Sequence, residues 1–405
     1  MIIRPAIRQV LQAREGHLAN PGRLPWEGSA YRPSPGAPPV PPGPLLDYAF
    51  DTTLSRTSEA SVSDLRDGWA FDPPPPWVPP ATHRIFGDGA ILIEGSRSNL
   101  ALRSEEPGDA AWLSHLGASG SNGTATAPDG DTDAGTVTFP ADADAALYQE
   151  ISTGAEVTLS AWFRGAGTVR LAVRQNNGST IVSSPDIPLT SEWVRHSFTA
   201  ITAPSLGEAS PRIMLLNGSD GAARTVGVSG VQCEEGTFAT SYIRTAGAAA
   251  TRGGEVCTLA EADVPAVMRT GKWAFDFWLP YSSSDAPMSY SFVTNWGNAG
   301  GFGLYRTVSA LRMQPFLNNA GLATQQILDP VFSAGAKITV EFDVPALTWS
   351  VSGLTAGNAS GLSMDNMVSD SPAGDSTVAN GIVAFGGRRT GLQQASAILS
   401  QPRAL

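Results

Sequence analysis

The chain is 405 residues long, which favours two or three domains over one unusually large core. Charged residues make up only 16%, against 43 glycines and 31 prolines, a balance that suits short strands and tight turns rather than long helices. The net charge of −11 argues against a general nucleic-acid binder, whose phosphate contacts need a basic surface.

Two cysteines, Cys233 and Cys257, are too few and too far apart for a metal motif or a disulfide framework. No apolar run approaches the roughly 20 residues of a membrane span. The start, MIIRPAIRQVLQAREG, lacks the continuous apolar core and cleavage site of a secretory signal.

Residues 1–32 form a basic arm on an acidic chain: Arg4, Arg8, Arg14, Arg23 and Arg32 stand against Glu15 and Glu27. Ile2, Ile3, Ile7, Val10 and Leu11 make a rough helical stripe, so the arm reads as an anchor for another protein, with a frayed terminus as the alternative. Residues 33–44, PSPGAPPVPPGP, are a proline-rich linker, extended and semi-rigid. Residues 45–105 read as an irregular lead-in, because DPPPPWVPP is too rich in proline for a central strand.

Residues 106–245 read as one β-sandwich. ADAALYQEIS, AEVTLSAWFRG, TVRLAVRQ, EWVRHSFTAI, PRIMLLNG and TVGVSGVQCEE are strand-length runs bounded by turn residues. Val157, Leu159, Ala161 and Phe163 share one face, leaving Thr158, Ser160, Trp162 and Arg164 on the other. Leu171 and Val173 likewise oppose Arg170, Ala172 and Arg174. One face of each strand is core and the other wet.

Two phrases bracket this module: ILIEGSRSNLALRSEEPGDAAW over Ile91–Trp112, and VQCEEGTFATSYIR over Val231–Arg244. Together they resemble a signature of phage virion fibre and spike proteins, in which such phrases open and close a carbohydrate-binding jelly-roll module. Head spikes of gene transfer agents fit the same description. The resemblance implies that Glu94, Asn99, Glu235 and Tyr242 close the sandwich on itself. It implies a virion surface protein of a tailed phage or phage-like particle, released by lysis and therefore made without a signal peptide. Residues 1–32 would then dock on a capsid or other virion protein. The product would be a homo-oligomer, with no nucleic-acid partner and no membrane insertion.

Residues 246–405 read as a second β-sandwich, from GKWAFDFWLPY, YSFVTNWG, GFGLYRT, ALRMQPFLN, KITVEFDV, LTWSVSGL and NGIVAFGGR. The order of these pieces, with Thr348-Trp349-Ser350-Val351-Ser352-Gly353 as a closing hairpin, resembles a concanavalin A-like lectin domain. The expected fold class is therefore all-β, two tandem jelly-roll sandwiches behind an extended N-terminal arm.

Sugar recognition uses aromatic faces and planar polar groups. The first module offers Trp162, Arg164, Arg170, Arg174, Asn176 and Asn177. If the two strands that carry them are neighbours, the arginines and Trp162 line one surface, and the guanidinium fork would suit an anionic polysaccharide. An ordinary solvated sheet face is the plain alternative. The second module offers Asn295, Trp296, Asn298, Tyr305, Arg306 and Asn318, with Trp296 as a core plug the rival reading. Trp112, Trp193 and Trp349 read as packing. Asp129, Asp131 and Asp133 have the alternating spacing of a calcium loop, without the downstream Glu of a full calcium-hand pattern; a turn is the simpler reading, and a cation there would be structural. No cofactor is implied.

Glu341 and Asp343 share a strand face, as in concanavalin-like glycosidases, but no third acid completes that pattern. No Ser-His-Asp order stands out. The expected function is adsorption to bacterial surface polysaccharide without catalysis. A polysaccharide depolymerase and a structural capsid decoration or adaptor protein are the alternatives.

Overall fold

The structure, a computed structural model, describes residues 53–58, 60–61, 63–67, 70–71, 77–131, 133–153, 156–175, 180–201, 211–260, 265, 267–268, 271–284, 289–295, 300–306, 311–317, 320–321, 327–343, 345–346, 348–363, 382–385 and 397–405. The arm and the linker lie outside them. The fold is all-β, with a short 3-10 turn at Leu65–Asp67.

One sandwich is built from residues 113–235. Among the described residues, its first sheet runs Ser119–Ala125, Ala134–Phe139, Arg224–Glu235, Glu156–Arg164, Val194–Ile201. Its second runs Ile181–Ser183, Thr168–Arg174, Arg212–Asn217, Ala146–Glu150, Leu113–His115, with Ile187–Pro188 also on Thr168–Arg174. The alternation legible in the sequence sets the inward faces. Val157, Leu159, Ala161 and Phe163 meet Val169, Leu171, Val173, Ile213 and Leu215 in one core. Each large aliphatic side chain fully buried there stabilises by about 2 kcal/mol.

The other sandwich packs two larger sheets around Trp273, Phe275, Phe277, Val340, Phe342 and Trp349. Trp273 and Phe342 stack at 4.5 Å between ring centroids. In one sheet Lys272–Trp278 pairs with Lys337–Asp343, which pairs with Thr348–Ser352, which pairs with Ala359–Ser363. In the other, Ser289–Asn295, Gly300–Arg306 and Leu311–Leu317 are successive neighbours.

The segment expected to be an irregular lead-in supplies strands to this second sandwich. Thr53–Ser55 pairs with Val256–Ala260 in one sheet. Ile91–Ile93 pairs with Ala397–Leu399 in the other, and Arg84–Ile85 pairs with Ile91–Ile93. Ile91 and Ile93 enter the main core while Leu92 enters a smaller cluster with Leu65, Phe86 and Ile398. A three-residue run buried on both faces carries no periodicity to read. Prolines restrict long strands but leave two- and three-residue ones free to form between them. The two sandwiches are thus nested rather than strictly tandem: the chain starts the second, builds the first, and returns.

The bracketing phrases meet beside the first sandwich. Asn99 donates to the Val231 and Ile243 carbonyls and accepts from the Ala101 and Cys233 amides. The Tyr242 hydroxyl bonds Ser104 at 2.6 Å. Of the two adjacent glutamates, Glu234 is the buried one and accepts from the Thr240 amide and hydroxyl. Glu235, the residue singled out from the sequence, points to solvent and accepts from Thr153 at 2.5 Å. Strand alternation sends the two opposite ways, and only Glu234 faces the closing phrase.

Candidate functional site

The middle of the outer face of the 119–201 sheet is covered, while Thr138, Ser197 and Thr225 on the same face are exposed. Thr158, Ser160 and Trp162 point outward but are buried, because the closing phrase folds across them. Trp162 meets the Tyr242 ring edge-on at 5.6 Å, and the Arg195 guanidinium lies 4.6 Å over its indole. Arg195 donates to the Thr240 carbonyl at 2.8 Å and Ser160 Oγ at 3.0 Å. Burial pulls its pKa down to about 10. Gly230 has a φ of +60°, and a Cβ there would stand 2.7 Å from the Trp162 ring. Trp162 is therefore a packing residue rather than a sugar contact.

Arg164 stacks on Trp193 at 4.6 Å, and Trp193 Nε1 donates to the Thr126 carbonyl at 3.0 Å. The expectation that Arg164, Arg170 and Arg174 share a surface fails here. The chain turns at Gly165 and Gly167, both with positive φ, and crosses to the other sheet. Strands successive in sequence then face each other across the core, so their outward sides point in opposite directions.

Among the described residues, no phrase like the closing one folds across the outer face of the 113–217 sheet, which its own long side chains cover in part. Its register sets side chains in rows. Leu113, Tyr148, Met214, Ala172 and Ser183 form one row. Glu150, Arg212, Arg174 and Ile181 form the next. Ala146, Leu216 and Arg170 form a third. Five strands at about 4.8 Å spacing give a face roughly 19 Å across. Its floor is apolar: Ala146, Ala172, Met214 and Leu216 cluster with Tyr148. Leu113 and Ile181, at its two edges, are 43% and 47% exposed.

Polar groups cover this floor. Arg212 lies 4.5 Å over the Tyr148 ring and pairs with Glu150 at 2.7 Å. Arg174 is half-buried beside it. Arg170 is a clamp, donating to the Asn217 carbonyl at 2.9 Å and the Ala143 carbonyl at 2.7 Å. The arrangement offers a flat guanidinium on an aromatic ring, a second guanidinium and a carboxylate over an apolar base, which can pack a sugar ring and bond its hydroxyls. The sequence signal for Tyr148 and Glu150 was the alternation in ALYQE. The signal for Arg212 was weaker: Ile213–Leu216 is apolar on both faces, which hides the period.

In the second sandwich the predicted residues are spread apart. Asn295 pairs with Gly300 at one end of the Gly300–Arg306 strand. Tyr305 and Arg306 sit at its other end, about 17 Å or more away at 3.4 Å per residue. Asn176, Asn177, Trp296, Asn298 and Asn318 lie outside the described residues. Glu341 is exposed and lines a depression of about 450 Å³ with Ser350, Ser352, Asn358 and Ser360. Asp343 is tied to Lys272 at 2.5 Å, and that hydrogen bond holds its carboxyl below the usual range.

Asp129, Asp131 and Asp133 converge on one Arg244 nitrogen, at 2.8, 3.2 and 3.3 Å. Glu105 takes Arg244 Nε at 2.9 Å. The cation these acids surround is a guanidinium. Among the described residues no group of three His, Cys, Asp or Glu side chains is arranged to hold a metal ion. Cys233 and Cys257 are buried and not joined in a disulfide.

No family model and no curated protein matches the chain. Solved structures do. The xylan-binding CBM22-1 domain of Paenibacillus barcinonensis Xyn10C is similar at 15% identity and a TM-score of 0.28, covering 35% of this chain and 97% of that one. The CBM22-1–CBM22-2 tandem of the same protein is similar at 12% identity and a TM-score of 0.28, covering 77% and 98%. The enzymatically active domain of bacteriophage CBA120 tailspike protein 4 is similar at 14% identity and a TM-score of 0.26, covering 33% of this chain and 21% of that one.

Proposed function

We propose that this chain is a surface spike or fibre protein of a tailed phage or phage-like particle, and that it binds host cell-surface polysaccharide. One observation carries the binding part: the closing phrase covers the middle of one outer face of the first sandwich, while the other outer face carries half-buried Tyr148, Arg174 and Arg212 with exposed Glu150. The second of these faces sets Tyr148, Arg212, Arg174 and Glu150 in register over an apolar floor. A chain ligand can lie across five strands there, bonding hydroxyls as it goes.

The virion part rests on the two bracketing phrases, with residues 1–32 as the anchor and 33–44 as the spacer. The short anchor and stiff spacer favour a capsid-mounted spike. Many copies on one particle would turn a weak single site into firm adsorption.

The test is binding of the full chain to intact host cells and to their purified surface polysaccharide. Binding to both, lost in Tyr148→Ala, is expected. No binding to any surface glycan, with attachment to the particle retained, would instead favour a decoration or adaptor protein. Shortened polysaccharide chains after incubation would point to a depolymerase, with Glu341 the first residue to change.

A further inference from the structure

Glu341 differs from the other acids on its face of the second sandwich. Lys272–Trp278 and Lys337–Asp343 pair so that Lys272 opposes Asp343, Ala274 opposes Glu341 and Asp276 opposes Thr339. Asp343 is engaged by Lys272. Asp276 is held by Lys337 at 2.8 Å and Arg403 at 3.1 Å, and it accepts from Thr339 at 2.7 Å. Glu341 is exposed, and among the described residues no cation or donor pairs with its carboxylate.

The backbone builds a hollow beside this carboxylate. Ser350 stands opposite Glu341 on the next strand. On the far side of Thr348–Ser352 the register slips: Trp349 opposes Leu362, but Val351 opposes Ala359. One extra residue is thus inserted into the outer strand next to Ser360, and such a bulge re-aims the side chain beside it. Gly353, at a φ of +87°, turns the chain where a Cβ would stand 2.1 Å from the Lys337 carbonyl. The Leu354 amide then donates to Asn358 Oδ1 at 2.9 Å, which fixes that side chain and leaves its NH2 group to donate. Small side chains at Ser350, Ser352 and Ser360 leave the space between Glu341 and Asn358 as the depression of about 450 Å³. Small-ligand sites span about 300–1,000 Å³.

We propose that this depression is a second carbohydrate site, which takes a neutral sugar residue through its hydroxyls. The proposal adds a site to the face on the first sandwich and rests on the reading of the chain as a polysaccharide binder. A carboxylate only accepts, and its two oxygens can take two neighbouring hydroxyls, while the serines and the Asn358 amide supply donors. The acceptor capacity of Asp343 and Asp276 is already engaged within the sheet; that of Glu341 is kept for a ligand. The lining holds no lysine or arginine among the described residues, so an anionic group finds no partner there and meets the charge of Glu341. Hydrolysis would need two carboxyls flanking the bond, and Glu341 is the one acid in this lining. A polymer gripped by both sandwiches is held more firmly than by either.

The test is binding of the full chain to purified host surface polysaccharide at low and at high salt. Glu341→Ala should weaken binding about tenfold, the worth of hydrogen bonds to a charged group, and equally at both salts because the partners are uncharged. Ser352→Trp, which fills the depression and keeps the carboxylate, should do the same. Both side chains are exposed, so melting temperatures should stay at the wild-type value. A loss with Tyr148→Ala but none with Glu341→Ala or Ser352→Trp overturns the proposal and leaves the first face standing. A Glu341→Ala loss confined to low salt would mean a cationic ligand and overturns it too. Polysaccharide shortened by the wild type but not by Glu341→Gln would make Glu341 catalytic and also overturns it. A loss with Glu341→Ala and none with Tyr148→Ala keeps this site and removes the first. No binding of host polysaccharide overturns both.

Discussion

Arg84 and Glu94 are ten residues apart in sequence and meet as a fully buried ion pair, Nη1 to Oε2 at 2.7 Å. Arg84 also donates to Glu255, which takes Arg56 at 2.5 Å and the Glu94 amide at 2.8 Å. Arg252 lies 3.2 Å from Glu94, and Ser241 of the closing phrase donates to Glu94 through its amide and hydroxyl. Burial works to raise the Glu94 carboxyl, but the Arg252 and Arg84 guanidiniums and the Ser241 hydrogen bonds outweigh it and hold it at about 2. This cluster joins the lead-in, both phrases and the entry to the second sandwich.

Arg84→Met strands Glu94 and Glu255 without their shared partner, and an uncompensated buried charge costs about 3–5 kcal/mol. Urea unfolding of the variant should show that loss. A change under about 1 kcal/mol would mean that the remaining arginines suffice to neutralise the cluster.

Asn99→Ala removes four hydrogen bonds at once and leaves buried backbone groups of Val231, Cys233 and Ile243 without this partner. The expected loss is about 3 kcal/mol, read by chemical denaturation. Asn99→Asp should be no better, since it turns a donor toward two carbonyls into an acceptor. A near-neutral result for either would show that the phrases hold together by packing alone.

Glu105 predicts a pH dependence. Burial raises its carboxyl, a hydrogen bond with Asp133 and the charges of Asp133 and Asp129 add to this, and Arg244 only partly offsets them; the pKa is pushed up to about 8. The folded protein therefore holds a proton that the unfolded chain releases from about 4.5 upward. The stability tied to that proton is fully present below pH 4.5 and is lost as the pH rises through 8. Asp133 Oδ1, buried without another hydrogen-bond partner, would accept this proton. Glu105→Gln keeps a donor and cannot ionise. Its melting temperature should gain on the wild type between about pH 5 and pH 8, and parallel curves would refute the assignment.

Trp162 and Tyr148 should separate folding from binding. Trp162→Ala empties a buried site and should cost about 3–5 kcal/mol. Trp162→Phe should fold with unchanged polysaccharide affinity. Tyr148→Ala removes the ring beneath Arg212 and should weaken polysaccharide binding about tenfold with a smaller effect on stability. The reverse pattern would move the site to the covered sheet.

The sequence made the inward faces legible wherever a strand was solvated on one side, as in Glu156–Arg164 and Thr168–Arg174. It did not show that these two strands belong to different sheets, because alternation reports a strand's two sides and not its neighbour. That gap placed Trp162 and Arg164 with Arg170 and Arg174. Half of that candidate surface, Arg170 and Arg174, does lie on the outer face of the 113–217 sheet. Arg212 escaped notice because it begins a strand apolar on both faces. The bracketing phrases identified the closing residues well, save that Glu234 rather than Glu235 turns inward.

The nesting of the two sandwiches fixes an order of events during synthesis. Arg56 and Glu255, 199 residues apart in sequence, must meet for the buried cluster to close. Residues 53–93 leave the ribosome well before the strands they pair with, Val256–Ala260 and Ala397–Leu399. Contacts so distant in sequence form slowly. The first sandwich can fold while those early strands wait, and it then holds them near the place where the later ones arrive. The inserted module is in this sense a folding clamp for the sandwich that encloses it. Cutting the gene at residue 246 would leave the second sandwich without the strands from Thr53–Ser55, Arg84–Ile85 and Ile91–Ile93 that complete its two sheets.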